Sequence, residues 1–392
     1  MRRILLCLFA AWSCSALGQS SISLQPGLKL PDDSVIARNL MHDLSDFLDH
    51  IAKDQPDNPR IAAEGKAETL DLIDEIKGIG ASEAHQDDQF YKPVLLNVTP
   101  EDEHSFLVQL AYMGAADSKG ELRALFELQA HTGNDRHFTF SSPVSIFTGH
   151  WKTFHTPHVV WRYKEHLDTT LAKDYDQYLD AYNRKLDMAT SNIHIYCCNN
   201  AAEALRVMGV SYKRDYAGMP SISLTSGDGN TMAMITSEFG NRFGAFDLHD
   251  TWHGCLYRKM PFAQVNRPVD EGCAYLYGGS WGISWVDIYQ LFYKEVAGKK
   301  NVNWFEQYEA MDNFSANAKE KLITTYVINA LIVQKLEKEK GFQAVMELLR
   351  STPMKQDQTA YLASLEKLTG INKKNFNKEI GKLVEAEKQR LQ

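Results

Sequence analysis

The apolar residues of this 392-residue chain change their period at Tyr91, and that change restricts the fold more than any other feature. Before it, Val35, Ile36, Leu40, Leu44, Phe47, Leu48 and Ile51 recur at helical spacing behind Pro31 and Asp32, which predicts an amphipathic helix over 33–52. A weaker helix runs over 63–77 and stops at Gly78-Ile79-Gly80. From Tyr91 to Glu165 the short apolar runs 94–96, 106–110, 125–128 and 159–163, separated by turn-rich segments, read instead as strands. Two helices followed by strands bury their apolar faces most simply as a curved antiparallel sheet with the helices packed on it. The helical period then returns. Leu171, Tyr175, Tyr178, Leu179, Tyr182 and Leu186 share one side of a long helix over 167–188, and most of the chain beyond Glu271 is helical, including 281–293 and 316–340. The fold class expected is therefore α+β, with domains over 19–165 and 166–392, each long enough to bury its own core.

The ends and the overall charge narrow the function. Met1-Arg2-Arg3, the apolar stretch Ile4 to Trp12 and Ala16-Leu17-Gly18 form a secretory signal over 1–18, so export to the periplasm, the cell surface or the medium is expected. Lipidation at Cys14 is the less favoured alternative, because Ala11-Trp12-Ser13 is a poor lipobox. No later stretch approaches eighteen consecutive apolar residues, so no transmembrane segment is expected. A formal charge of −8 without a basic stripe gives no electrostatic footprint for nucleic acid.

The chemistry concentrates in His249-Asp250-Thr251-Trp252-His253 and in Glu271, eighteen residues past the second histidine. Each helical residue advances about 100°, so His249 and His253 lie one turn apart on one face. Two imidazoles and a carboxylate make a three-ligand site with one position open, the arrangement of a hydrolytic rather than a structural zinc. His249, His253 and Glu271 are therefore the expected ligands of one Zn²⁺ per chain. Asp247, Asp270 and Asp287 are close enough in sequence to support an imidazole from behind. His150, His155 and His158 read as surface residues, since the last two face opposite sides of a strand. Cys255 and Cys273 each sit about 200° from the nearby ligand, on the backs of their helices, so no bridge between them is expected.

This spacing resembles that of the gluzincin metallopeptidases, closest to their peptidase-MA-like group, from roughly Leu167 to the C-terminus. The resemblance implies a peptide or protein substrate, a water-activating base at Asp250, and an oxyanion donor downstream, for which Tyr326 is the candidate. The apolar neighbours of Tyr326 at helical period nevertheless favour a core tyrosine over that role. It also implies that the strand 232–236, in a hairpin turning at Gly227-Asp228-Gly229, is an edge that pairs with substrate backbone, while an ordinary hairpin is the equal alternative. The N-terminal helix-then-sheet order resembles the cone-shaped fold of the nuclear-transport-factor-like superfamily.

Two positions depart from the gluzincin pattern. The family carries glutamate where this chain has Asp250, a loss of reach of about 1.5 Å for one methylene. Tyr275 stands one turn after Glu271, where some relatives place a carboxylate. The competing expectation is thus a degenerate gluzincin scaffold that serves as an exported peptide- or protein-binding module.

Overall fold

The computed structural model describes residues 22–55, 57–227, 231–237, 247–317, 320–351 and 359–392. The signal at 1–18, Cys14 and the turn residues Asp228 and Gly229 lie outside the described residues. The protein is α+β, with a sheet-rich N-terminal region and a helical C-terminal part. It divides into two compact units, Met1–Lys152 with His194–Glu238, and Thr153–Ile193 with Phe239–Gln392. The single division expected at residue 165 does not coincide with these units, because residues 153–165 group with the second unit and residues 194–238 with the first. Periodicity marks a strand but not the sheet it joins.

The first unit begins with β1 (Ser23–Leu24), α1 (Ser34–Ala52) and α2 (Lys66–Ile76). Asp33 starts α1 by accepting hydrogen bonds from the Val35 and Ile36 amides. Strands β2 (Lys92–Pro100), β3 (Ser105–Ala116), β4 (Lys119–Thr132) and β5 (Phe138–Ser141) follow as an antiparallel meander, and α3 (Val144–Thr148) closes the run. Register shifts between Leu95 and Asn97 and between Tyr112 and Met113 bend this sheet. Along β4 the residues Ala124, Phe126, Leu128 and Ala130 are buried while those between them are not, the period-two signature of a one-sided sheet. Leu40, Leu44 and Phe47 of α1 and Leu72 of α2 complete the core with Leu95, Phe126 and Phe140.

The chain passes to the second unit for β6 (Lys152–His155), β7 (Val159–Tyr163) and α4 (Thr169–Lys185). His150 and His155 are exposed, and the Nδ1 of His158 lies 3.0 Å from Asp176. The chain then returns with β8 (Asn192–Cys197), α5 (Ala201–Met208), β9 (Val210–Lys213), β10 (Ser223–Gly227) and β11 (Thr231–Thr236). Strand β9 joins the first sheet on β4. Strand β11 pairs with β10 on one side and has β8 on the other. The expected peptide-pairing edge at 232–236 is therefore corrected: β11 is an interior strand, and the outer position belongs to β10. Two apolar runs around Asp-Gly announce a hairpin but not the flank taken by a strand some thirty residues earlier.

The remaining elements belong to the second unit: α6 (Leu248–Lys259), α7 (Arg267–Gly278), α8 (Trp285–Phe292), α9 (Trp304–Ala310), α10 (Thr324–Lys340), α11 (Phe342–Leu349), α12 (Thr359–Thr369) and α13 (Phe376–Leu391). Helix α10 is buried almost all round, from Val327 to Val333 and again at Leu336, and packs against α7, α9, α11 and α13. It begins at Thr324 rather than near 316. The Asn313 side chain accepts hydrogen bonds from the Ser315 and Leu322 amides, and so stabilises the preceding loop against helix. Helix α8 likewise begins later than 281, because Ser280 and Ile283 close a tight turn on each other and Ser284 caps the Asp287 amide. No helix among the described residues is long and apolar enough to cross a membrane.

Candidate metal centre

Helix α6 carries the two histidines. Asp247 accepts a hydrogen bond from the His249 amide at 2.9 Å and fixes where the helix starts. Trp252, fully buried, packs against Tyr182 and Tyr277 and orients the helix so that its histidine face meets α7. Helix α7 starts at Asn266, whose side chain accepts from the Val269 amide, and presents Glu271 on its second turn.

Glycine permits the close approach of these helices. A Cβ on Gly272 would lie 2.7 Å from the Ala330 amide nitrogen of α10, and one on Gly278 would lie 2.5 Å from the His249 amide nitrogen. Helix α7 is thus held between α10 and the start of α6 at two points where any side chain would intrude. Glu271, beside Gly272, takes its position from that contact.

The three expected ligands converge. His249 Nε2 lies 3.1 Å from His253 Nε2 and 3.3 Å from Glu271 Oε2, and His253 Nε2 lies 3.9 Å from Glu271 Oε1. Among the described residues they are the one group of three histidine, cysteine or acidic side chains placed to hold a metal ion. A tetrahedral ion bound at about 2.0–2.1 Å separates its ligands by about 3.3 Å, so the spacing fits.

The outer ring nitrogens sharpen the test. His249 Nδ1 donates to the Gly279 carbonyl at 2.8 Å, and His253 Nδ1 donates to Asp270 Oδ1 at 2.9 Å. In the neutral rings both inner nitrogens are then bare lone pairs facing each other. Two such acceptors at 3.1 Å repel unless a cation sits between them. Burial pulls the His249 pKa down, but Glu271 and then Gly279 outweigh it and hold it above the ordinary value.

Of the three aspartates considered as support, Asp270 reaches an imidazole. It is fully buried and also accepts from Trp252 Nε1 at 3.1 Å, Tyr257 Oη at 2.7 Å and Arg267 at 3.0 Å. Asp247 caps α6, and Asp287 bonds with Ser284. Arg267, which the sequence reading missed, pairs with Asp270 and with Glu271 Oε1, leaving Oε2 turned toward His249. Its signal was present: Arg267 stands three and four residues before two acids, the spacing of a helical ion pair.

A cavity of about 410 Å³ opens on the ligands and is lined by Asp247, His249, Asp250, Glu271, Tyr275 and Tyr326 among others. Asp250 is exposed to it, and partial burial followed by the nearby Asp247 carboxylate raises its pKa. Tyr326 is half-buried at the cavity wall, its ring packed edge-on against Tyr275 at 5.6 Å, and burial, then Glu271, raises its pKa. The phenol of Tyr275 donates to the Lys321 carbonyl and accepts from the Ile323 amide. Cys197, Cys198, Cys255 and Cys273 are all buried and unbridged, and burial pushes the Cys197 thiol up to about 12.

Compared with models of known protein families, with curated proteins and with solved structures, the chain matches none.

Proposed function

We propose that this protein is an exported zinc-dependent peptidase of the gluzincin kind, in which His249, His253 and Glu271 hold the metal. The observation that carries this reading is the pair of inner imidazole nitrogens 3.1 Å apart, each made an acceptor by the partner of its outer nitrogen, with a carboxylate oxygen 3.3 Å from one of them. When bound, zinc supplies Lewis-acid chemistry, polarising a carbonyl and acidifying water to a pKa of about 7. Asp250 takes a proton from the attacking water and passes it to the leaving nitrogen as the carbon–nitrogen bond breaks. Tyr326, at the cavity wall, donates to the carbonyl oxygen as it gains charge. Asp270 and Gly279 hold the imidazoles in the tautomer that leaves Nε2 free for the metal.

One observation favours a second reading. Asp250 is one methylene shorter than the glutamate of active relatives, and a misplacement of about 1 Å can cost roughly 10²-fold in rate. On that reading the protein is an exported module whose cavity binds a peptide or protein without cleaving it. Zinc analysis of purified wild type and His249→Ala, with a peptidase assay of wild type and Asp250→Glu, separates the two. Zinc lost with His249 and hydrolysis raised by glutamate support the peptidase. Zinc retention without hydrolysis by either chain supports the binding module, and no zinc at all overturns both metal readings.

A further inference from the structure

The cavity is asymmetric in a way the metal does not explain. Its carboxylates come from α6 and its cap (Asp250 and Asp247) and from α7 (Glu271), while the opposite character comes from Trp281 and the segment leading into α10. That segment contributes Met311, Ile323 and Lys321. Lys321 is the one lysine or arginine among the lining residues, and its side chain has no ion-pair partner among the described residues. Its backbone is tied down, because the Tyr275 phenol donates to the Lys321 carbonyl at 3.1 Å and accepts from the Ile323 amide at 3.2 Å. Tyr275 stands one turn after Glu271 on α7, so the ammonium is mounted on a backbone fixed to the helix that carries a metal ligand.

We propose, on the basis of the peptidase reading above, that Lys321 receives the free C-terminal carboxylate of a peptide, so that the site takes chain ends rather than internal segments. Trp281 and Met311 are large, exposed apolar side chains, and with Ile323 they suit an apolar side chain on the terminal residue. A volume of about 410 Å³ holds only a few residues, which fits a terminal segment. The ammonium acts as a charge-assisted donor to the carboxylate. Away from the metal, the carboxylates of Asp247 and Asp250 disfavour that anion elsewhere in the cavity.

The test uses the zinc-loaded full chain carrying Asp250→Asn, so that ligand is not consumed during titration. Calorimetry compares N-acetyl-Gly-Phe as the free acid and as the amide, on this chain and on the same chain with Lys321→Met or Lys321→Arg. The expected result is an acid preference of about tenfold or more, retained by the arginine variant and reduced to about twofold or less by the methionine variant. Lys321 is exposed, and unchanged thermal unfolding of both variants establishes that the fold is kept. Equal binding of acid and amide overturns the inference. So does an acid preference that survives Lys321→Met, because the carboxylate then meets the metal instead. Zinc-dependent binding of both ligands without preference refutes only this inference, whereas loss of zinc or of all peptide binding refutes the peptidase reading and this inference with it.

Discussion

Gly272→Ala puts the packing account of the site to a quantitative test. The added Cβ falls 2.7 Å from the Ala330 amide nitrogen and 2.7 Å from the Asn329 Cβ, whereas ordinary contact begins at 3.4 Å. Both neighbours belong to the buried helix α10, so α7 and α10 must separate by about 0.7 Å to accept it, the difference between those distances. Overpacking of this kind costs about 1–3 kcal/mol, and the better helix propensity of alanine returns about 1 kcal/mol. The net loss is therefore about 0–2 kcal/mol, or up to roughly 8 °C in Tm for a unit of this size. Because Glu271 is the adjacent residue, zinc affinity should fall as well, by about tenfold. Gly254→Ala in α6 is the matched control, since its Cβ meets no heavy atom within 4 Å and should stabilise by up to about 1 kcal/mol. Thermal unfolding of the metal-free chains and competition with a chromophoric chelator provide the two readouts. If Gly272→Ala is as stable as Gly254→Ala and binds zinc as wild type does, the helix contact does not position Glu271.

Asp250→Glu restores the missing methylene and should raise zinc-dependent peptide hydrolysis by about 10-fold or more in a fluorogenic peptide assay; a slower glutamate variant of an active wild type would show that the backbone is adapted to aspartate. Arg267→Met frees Glu271 Oε1 and leaves Asp270 one donor short, and should weaken zinc binding by about 10- to 100-fold by chelator competition; unchanged affinity would show that the pair is dispensable. In the first unit, burial and then the Asp74, Glu68 and Glu75 charges raise the Asp71 pKa from 3.8 to about 8 against the opposing Ser226 hydrogen bond. Between those values the folded chain holds a proton that the unfolded chain releases, so stability falls as pH rises, by up to about 1.4 kcal/mol per unit. Asp71→Asn should remove this contribution in urea unfolding at pH 5 and 7.5, and an unchanged pH slope would refute the assignment.

The candidate metal face was legible because both histidines lie on one helix, where a four-residue spacing fixes direction. Glu271 required a second helix at the right angle, and the adjoining glycine was the trace of that helix's close approach to α10. The partners of the outer ring nitrogens were only half legible. Asp270 stood in the sequence among three acids, but nothing local distinguished it from Asp287, which bonds with Ser284 instead. The Gly279 carbonyl has no sequence signature, since any residue supplies one. Lys321 was missed for a related reason, because a lysine before a helix reads as solvated until a tyrosine about fifty residues away is seen to fasten its backbone. At the level of the fold, period told helix from strand over most of the chain, while the interior place of β11 and the late start of α10 depended on non-local pairing and on asparagine side-chain hydrogen bonds.

The central claim is that His249, His253 and Glu271 form one metal centre, and zinc stoichiometry by equilibrium dialysis tests it most directly. Wild type should retain about one zinc per chain, while His249→Ala, His253→Ala and Glu271→Ala each lose it with their fold intact by circular dichroism. Wild type without zinc, or zinc retained undiminished in all three variants, would contradict the claim.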